Sequence, residues 1–246
     1  MKINYIFTSK TGLKRSGNED YADVFEVEEG LLAVVCDGLG GNNAGEIASK
    51  LAVSTIRDYF LQNDDEDYLS RMNHAIKTSN VRIKESALRT PEHTGMATTA
   101  VAVYLNKNYA FWGHVGDSRI YFYYQNKLIQ VTKDHSYVQR LLDDGYISPE
   151  QAESHPHRNV IMRALGDKPD IEVDHDYFTV QRNEPWKFFL CTDGVSGVLS
   201  NEEIEQMLIP NDLEFITNKF TKAIEERGAP DNFTFVIISN QVQAGR

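Results

Sequence analysis

The hydrophobic residues of this chain follow two periods. "INYIFTS" (3–9) and "YADVFEVE" (21–28) alternate apolar with polar side chains, the pattern of strands with one face toward a core. "LLAVVCD" (31–37) is apolar almost throughout, which predicts a strand buried on both faces. The period then lengthens. Across 43–61, Ile47, Leu51, Thr55 and Tyr59 recur every four residues and predict a helix, with Asn42 or Asn43 as its N-cap. Across 67–88, Leu69, Met72, Ile76 and Ile83 form a second stripe and a second helix. The run "QNDDED" (62–67) between them reads as a loop rather than a linker.

Strands resume at 96–105, 109–115, 118–124 and 127–132, with "NKN" and "QN" as hairpin turns within successive pairs. From 134 to 165 the pattern is broken and polar, although "SPEQA" predicts a short helix capped by Ser148 with Pro149 at its first position. Two strands (171–180, 186–192), two helices (201–208, 212–227) and a last strand (232–239) complete the chain. This order is α+β with mostly antiparallel neighbours. It is not a βαβ alternation, and it carries neither a dinucleotide-binding nor a P-loop glycine signature.

Composition narrows the picture only a little. With 246 residues, 41% of them hydrophobic, one core suffices, so 1–240 is read as one domain and 241–246 as a short polar tail. Thirty-six acidic against 25 basic residues give a net charge of −11, which disfavours nucleic acid and anionic membrane as partners. No segment reads as a signal peptide or a membrane span, so the cytoplasm is the expected compartment. Cys36 and Cys191 both lie in apolar runs and read as buried core residues, not as a disulfide or a zinc site.

The chemistry lies at strand ends. Asp37 ("CDGLGG") and Asp193 ("CTDG") each end a strongly apolar run on a glycine, and Asp117 ("HVGDSR") and Asp231 ("PDN") sit at similar boundaries. A lone Asp-Gly is ordinarily a turn. Four such carboxylates gathered on one edge would repel strongly unless cations lay among them, because partly desolvated charge is costly without a partner. Oxygen-only donors of this kind suit Mg²⁺ or Mn²⁺. Two such ions close together make a site for hydrolysing phosphate esters.

Read in order, "RSGNED" (15–20), "DGLGG" (37–41), "GMATTA" (95–100), "VGDSR" (115–119), "TKDHS" (132–136), "HPHRNVIMRALG" (155–166), "CTDG" (191–194) and "DN" (231–232) resemble the metal-dependent protein phosphatases of the protein phosphatase 2C type, in their bacterial stand-alone form. The resemblance covers essentially the whole chain. It implies a four-layer αββα sandwich, two mostly antiparallel sheets flanked by helices. It also implies hydrolysis of phosphoserine and phosphothreonine by a metal-bound water, with two Mn²⁺ or Mg²⁺ and a third, weaker metal. By resemblance Asp37 bridges the two ions and the Gly38 carbonyl ligates one. Asp193 and Asp231 hold the other, and Glu19 acts through a bound water. Asp117 with Asp193 forms the weaker site, and Arg15 grips phosphate. Taken alone, Arg15 reads rather as a surface arginine paired with Glu19 or Asp20.

The same resemblance makes the expected partners phosphoproteins, targets of a bacterial serine/threonine kinase, and the expected state a monomer. Residues 143–166 resemble the mobile flap of bacterial members. Thr98 and Thr99 resemble residues near the metal edge, although strand hydroxyls facing a neighbour explain them nearly as well. Leu39 stands where many eukaryotic members carry a histidine that protonates the leaving oxygen. That leaves the general acid to metal-bound water; His135 reads as a structural hydrogen bonder rather than an acid.

Overall fold

In a computed structural model, which describes residues 3–28, 30–40, 44–181 and 183–241, the central strand β3 (Gly30–Cys36) shows why its sequence does not alternate. Leu32, Val34 and Cys36 face one way and pack under helices; Leu31, Ala33 and Val35 face the other and pack against a second sheet. All six are buried, as a strand in the interior of a layered fold requires.

Elements are numbered in chain order. One sheet runs β1 (Asn4–Lys10), β12 (Phe233–Ser239), β11 (Trp186–Cys191), β8 (Arg119–Tyr124), β9 (Lys127–Gln130). The other runs β10 (Asp174–Thr179), β7 (Tyr109–Val115), β6 (Ala100–Asn106), β3, β2 (Tyr21–Val27). Every pairing within them is antiparallel. Helices α1 (Ala44–Gln62) and α2 (Tyr68–Arg89) cover the second sheet. Helices α6 (Asn201–Leu208) and α7 (Leu213–Glu226) cover the first. Three apolar layers result, with Val101, Phe188, Leu190, Val236 and Ile238 in the inter-sheet one. This is the four-layer sandwich expected.

Local chemistry fixes the helix ends. The Asp67 side chain accepts from the Leu69 and Ser70 amides at 3.1 and 3.0 Å, so Asp67 is the cap of α2 rather than its first residue. Ser148 and Gln151 form a capping box on α4 (Pro149–Glu153), with Pro149 in the first turn as expected. The expected caps Asn42 and Asn43, Gly41 of the "DGLGG" run, and the tail beyond residue 241 lie outside the described residues.

Two departures matter for the site. The run 96–105 is not one strand. It divides at Thr99 into β5 (Ala97–Thr98), paired with β4 (Gly38–Leu39), and β6, because the Thr99 amide donates to the Asp37 carbonyl at 2.9 Å and the chain changes partners there. The broken stretch 134–165 holds a further helix, α3 (Tyr137–Asp143), capped by Ser136. Cys36 and Cys191 are free and buried, and no helix among the described residues is long and apolar enough to cross a membrane.

Candidate metal centre

Antiparallel pairing gathers the ends of β3, β7 and β11 with the starts of β2, β6, β8 and β12 on one edge of the sandwich. Cys36 pairs with Tyr21, Val115 with Ala100, and Cys191 with both Arg119 and Phe235. The residues just past those ends are Asp37, Asp117 and Asp193; those just before the starts include Glu19, Asp20 and Asp231. Sheet topology alone therefore brings together carboxylates up to about two hundred positions apart in sequence.

The carboxylates lie close enough to act on one another's charge. Asp37 and Asp193 are within hydrogen-bonding reach of each other. Burial, with the charges of Asp20, Asp193 and Asp117 next in weight, pushes the Asp37 carboxyl well above its ordinary range. Burial and the charge of Asp193 push Asp117 up to about 8. Burial raises Asp193 too, with Asp231 adding to it, and raises Glu19 against the pull of Arg15. The protein alone relieves this repulsion by retaining protons; cations bound among the oxygens relieve it without neutralising them.

Each acid is held from behind. The Asp37 amide donates to Thr99 Oγ1 at 2.9 Å, and Thr98 Oγ1 donates to the Asp37 carbonyl at 2.8 Å. Thr99 Oγ1 also meets Ser118 Oγ at 2.7 Å, which ties the Asp37 and Asp117 turns together. Thr98 and Thr99 are thus both near the carboxylates and hydrogen-bonded to them through backbone. Gly38 is packed so closely that a Cβ would strike the Gly45 and Glu19 carbonyls. The Gly45 amide, in the first turn of α1, donates to the Glu19 carboxylate, and a Cβ on Gly45 would sit 2.9 Å from Glu19 Oε1. The Asn232 side chain spends both ends on the 11–19 loop: Nδ2 donates to the Thr11 and Gly17 carbonyls at 2.7 and 2.8 Å, and Oδ1 accepts from the Glu19 amide at 2.9 Å.

Arg15 lies in the same patch. Its Nη2 donates to Asp231 Oδ2 at 2.7 Å, so its partner is neither of the two acids weighed from sequence. It is half-exposed, and its charge acts on Asp231, Glu19 and Asp37, while that of Arg119 acts on Asp117 and Asp193. His135 is nearly buried and bonded to Gly116 and Asp174, the arrangement of a structural hydrogen bonder. One acid escaped the sequence reading. Asp20 closes the quoted "RSGNED" run without a role, yet it is buried beneath the cluster, accepts from Thr192 Oγ1 at 2.9 Å, and is pushed by burial up to about 7.

The donor set fits a hard divalent ion. It consists of oxygens alone, and Asp117 Oδ1 is buried with no hydrogen-bond partner among the described residues, so it faces the cluster unspent. Asp37, Asp193 and Asp231, with the Gly38 carbonyl, could hold two ions, and Asp117 with Asp193 a further one.

Comparison with known proteins identifies the family. The family model described as protein phosphatase 2C matches residues 14–231. The chain belongs to the protein phosphatase 2C family. It is 34% identical over 240 residues to the serine/threonine protein phosphatase PstP of Mycobacterium tuberculosis, covering 96% of this chain but 44% of that protein. It is 34% identical over 247 residues to the serine/threonine phosphatase stp of Listeria welshimeri, covering 98% of this chain and 97% of that one. Among solved structures it resembles PstP from Mycobacterium tuberculosis at TM-score 0.89 and 32% identity, covering 96% of this chain and 97% of that one. It also resembles a PstP catalytic domain in complex with two manganese ions at TM-score 0.85 and 31% identity, covering 96% and 97%.

Proposed function

We propose that this family member is a metal-dependent protein serine/threonine phosphatase, hydrolysing phosphoserine and phosphothreonine with Mn²⁺ or Mg²⁺. The observation that carries the reading is the convergence of Asp37, Asp193, Asp231 and Asp117, with a buried Asp117 oxygen that has no hydrogen-bond partner among the described residues. Ions held there would acidify a water and polarise the phosphoryl oxygens. Asp37 and the Gly38 carbonyl would hold the ions with Asp193 and Asp231, and Glu19, held by the Gly45 amide, would act through a bound water. Arg15, already aimed at Asp231, exchanges part of that pairing for a phosphate oxygen; its planar fork suits two such acceptors. Substrates are phosphoproteins made by a bacterial-type serine/threonine kinase, met in the cytoplasm by a monomeric enzyme.

The test is phosphate release from a phosphothreonine peptide beside a phosphotyrosine peptide. Release from the first with Mn²⁺, its loss with EDTA, and a fall in Asp37→Asn beyond the roughly 10–100-fold typical of a residue one shell away from a metal are expected. Full activity in Asp37→Asn would refute the assignment.

A further inference from the structure

The "TKDHS" run (132–136) has no part in the reading above, yet it grips the turn that presents Asp117. That turn links β7 to β8. Before Asp117, Gly116 is held twice: its amide donates to His135 Nδ1 at 3.1 Å, and its carbonyl accepts from the His135 amide at 2.7 Å. After it, Arg119 meets the Asp134 carboxylate through Nε at 2.9 Å and Nη2 at 2.7 Å. Adjacent residues of one loop thus bind both sides of Asp117. Gly116 itself has φ +110°, and a Cβ there would sit 2.7 Å from Thr99 Cβ, so the turn has little room to relax.

The imidazole is fixed in turn. Because Nδ1 accepts, the partners assign the proton to Nε2, which donates to Asp174 Oδ2 at 3.2 Å on the edge strand β10. Arg163 Nη1 donates to the other oxygen of Asp174 at 2.7 Å. The buried ring of His114 stacks on that of His135, centroids 4.4 Å apart. His114, His135 and Asp174 have the spacing of a metal site, their ligand atoms within 4.8 Å of one another. One fact argues against one: the Arg163 guanidinium, 3.0 Å from His135 Nε2 and 2.7 Å from Asp174, already supplies the cation.

We infer that Asp134 and His135 form a clamp that positions Asp117 for the weaker metal site, with His135 a positioning residue oriented by Asp174. The inference rests on the metal reading of Asp117 and Asp193 given above. Asp117 is buried beside the like charges of Asp193 and Asp134. Anchoring both flanking residues keeps its free oxygen aimed at the cluster.

The test counts Mn²⁺ binding events calorimetrically in the full chain and its variants, and follows Gly116 amide exchange in the metal-free protein. His135→Ala is expected to weaken the weakest event about tenfold or more, to leave the tight events unchanged, and to speed Gly116 exchange. His135→Asn, whose Oδ1 replaces Nδ1 as acceptor, is expected to restore most of the loss. Should His135→Ala fail to fold, Asp174→Asn decides: a several-fold weakening confined to the weakest event supports the clamp, and an unchanged weakest event overturns it. Equal weakening of every event, or wild-type binding in His135→Ala, also overturns it. Asp117→Ala separates the two claims. If it keeps the weakest event, or if the wild-type chain has none, the metal reading of Asp117 fails and the clamp with it. If it loses the event while His135→Ala keeps it, only the clamp fails.

Discussion

Stripping metal from this protein should leave it less stable as pH rises from 6.5 to 8, the reverse of what neutralising its surface acids would give. The perturbation is EDTA treatment followed by thermal melts at matched ionic strength. Asp117 is pushed up to about 8 and Asp20 up to about 7, whereas the unfolded chain has lost both protons by pH 6.5. The folded state therefore binds more protons than the unfolded state, and stability falls with pH through this window. One proton retained across 1.5 pH units is worth about 2 kcal/mol, at about 1.36 kcal/mol per unit. For a chain of this size that lowers the Tm by roughly 4–8 °C.

Groups of opposite sign oppose this fall. His114 is pushed down to about 3 by burial, so below about pH 6.5 the unfolded chain takes up a proton the folded state refuses, which offsets part of the carboxyl effect there without reversing it. Lys187, buried and pulled down to about 8, does the same above that value. Saturating Mn²⁺ should abolish the fall, because ions displace the retained protons. Asp117→Asn should flatten it without metal. A chelated wild-type protein whose Tm is level or rising from pH 6.5 to 8 would refute the claim that these carboxyls are forced together.

Two further outcomes follow from the geometry. Arg15→Ala should raise KM for phosphopeptide about tenfold while changing kcat less, since Arg15 is half-exposed and offers a charge-assisted bond rather than a metal ligand; steady-state kinetics separate the two parameters. Thr99→Val removes the acceptor for the Asp37 amide and the link to Ser118, leaving a buried donor unpaired, and should cost about 1–3 kcal/mol in a denaturant melt.

The strands were legible because β2 alternates and β3 does not, and each pattern reports how many faces are buried. Asp37 and Asp193 stood out because each follows a strongly apolar, buried strand and precedes a glycine. Asp20 did not. It sits just before β2, and only its long-range partners reveal its burial: Thr192, 172 positions away, and the neighbouring Thr234. The division of 96–105 at Thr99 was equally hidden, since "MATTAVAVYL" reads as one strand until the hydrogen bonds to Asp37 are known. Helix α5 (Asp193–Ser196) is a single turn, too short for any period, so Asp193 reads as a turn residue although it opens a helix. In each case a tertiary contact overrides a local pattern.

The most direct measurement is anomalous diffraction from crystals grown with Mn²⁺, recorded at the manganese edge. Two strong peaks enclosed by Asp37, Asp193, Asp231 and the Gly38 carbonyl, with a weaker one touching Asp117, are what these carboxylates call for. Absent manganese signal at that edge of the sandwich, or peaks confined to other surface acids, would contradict it.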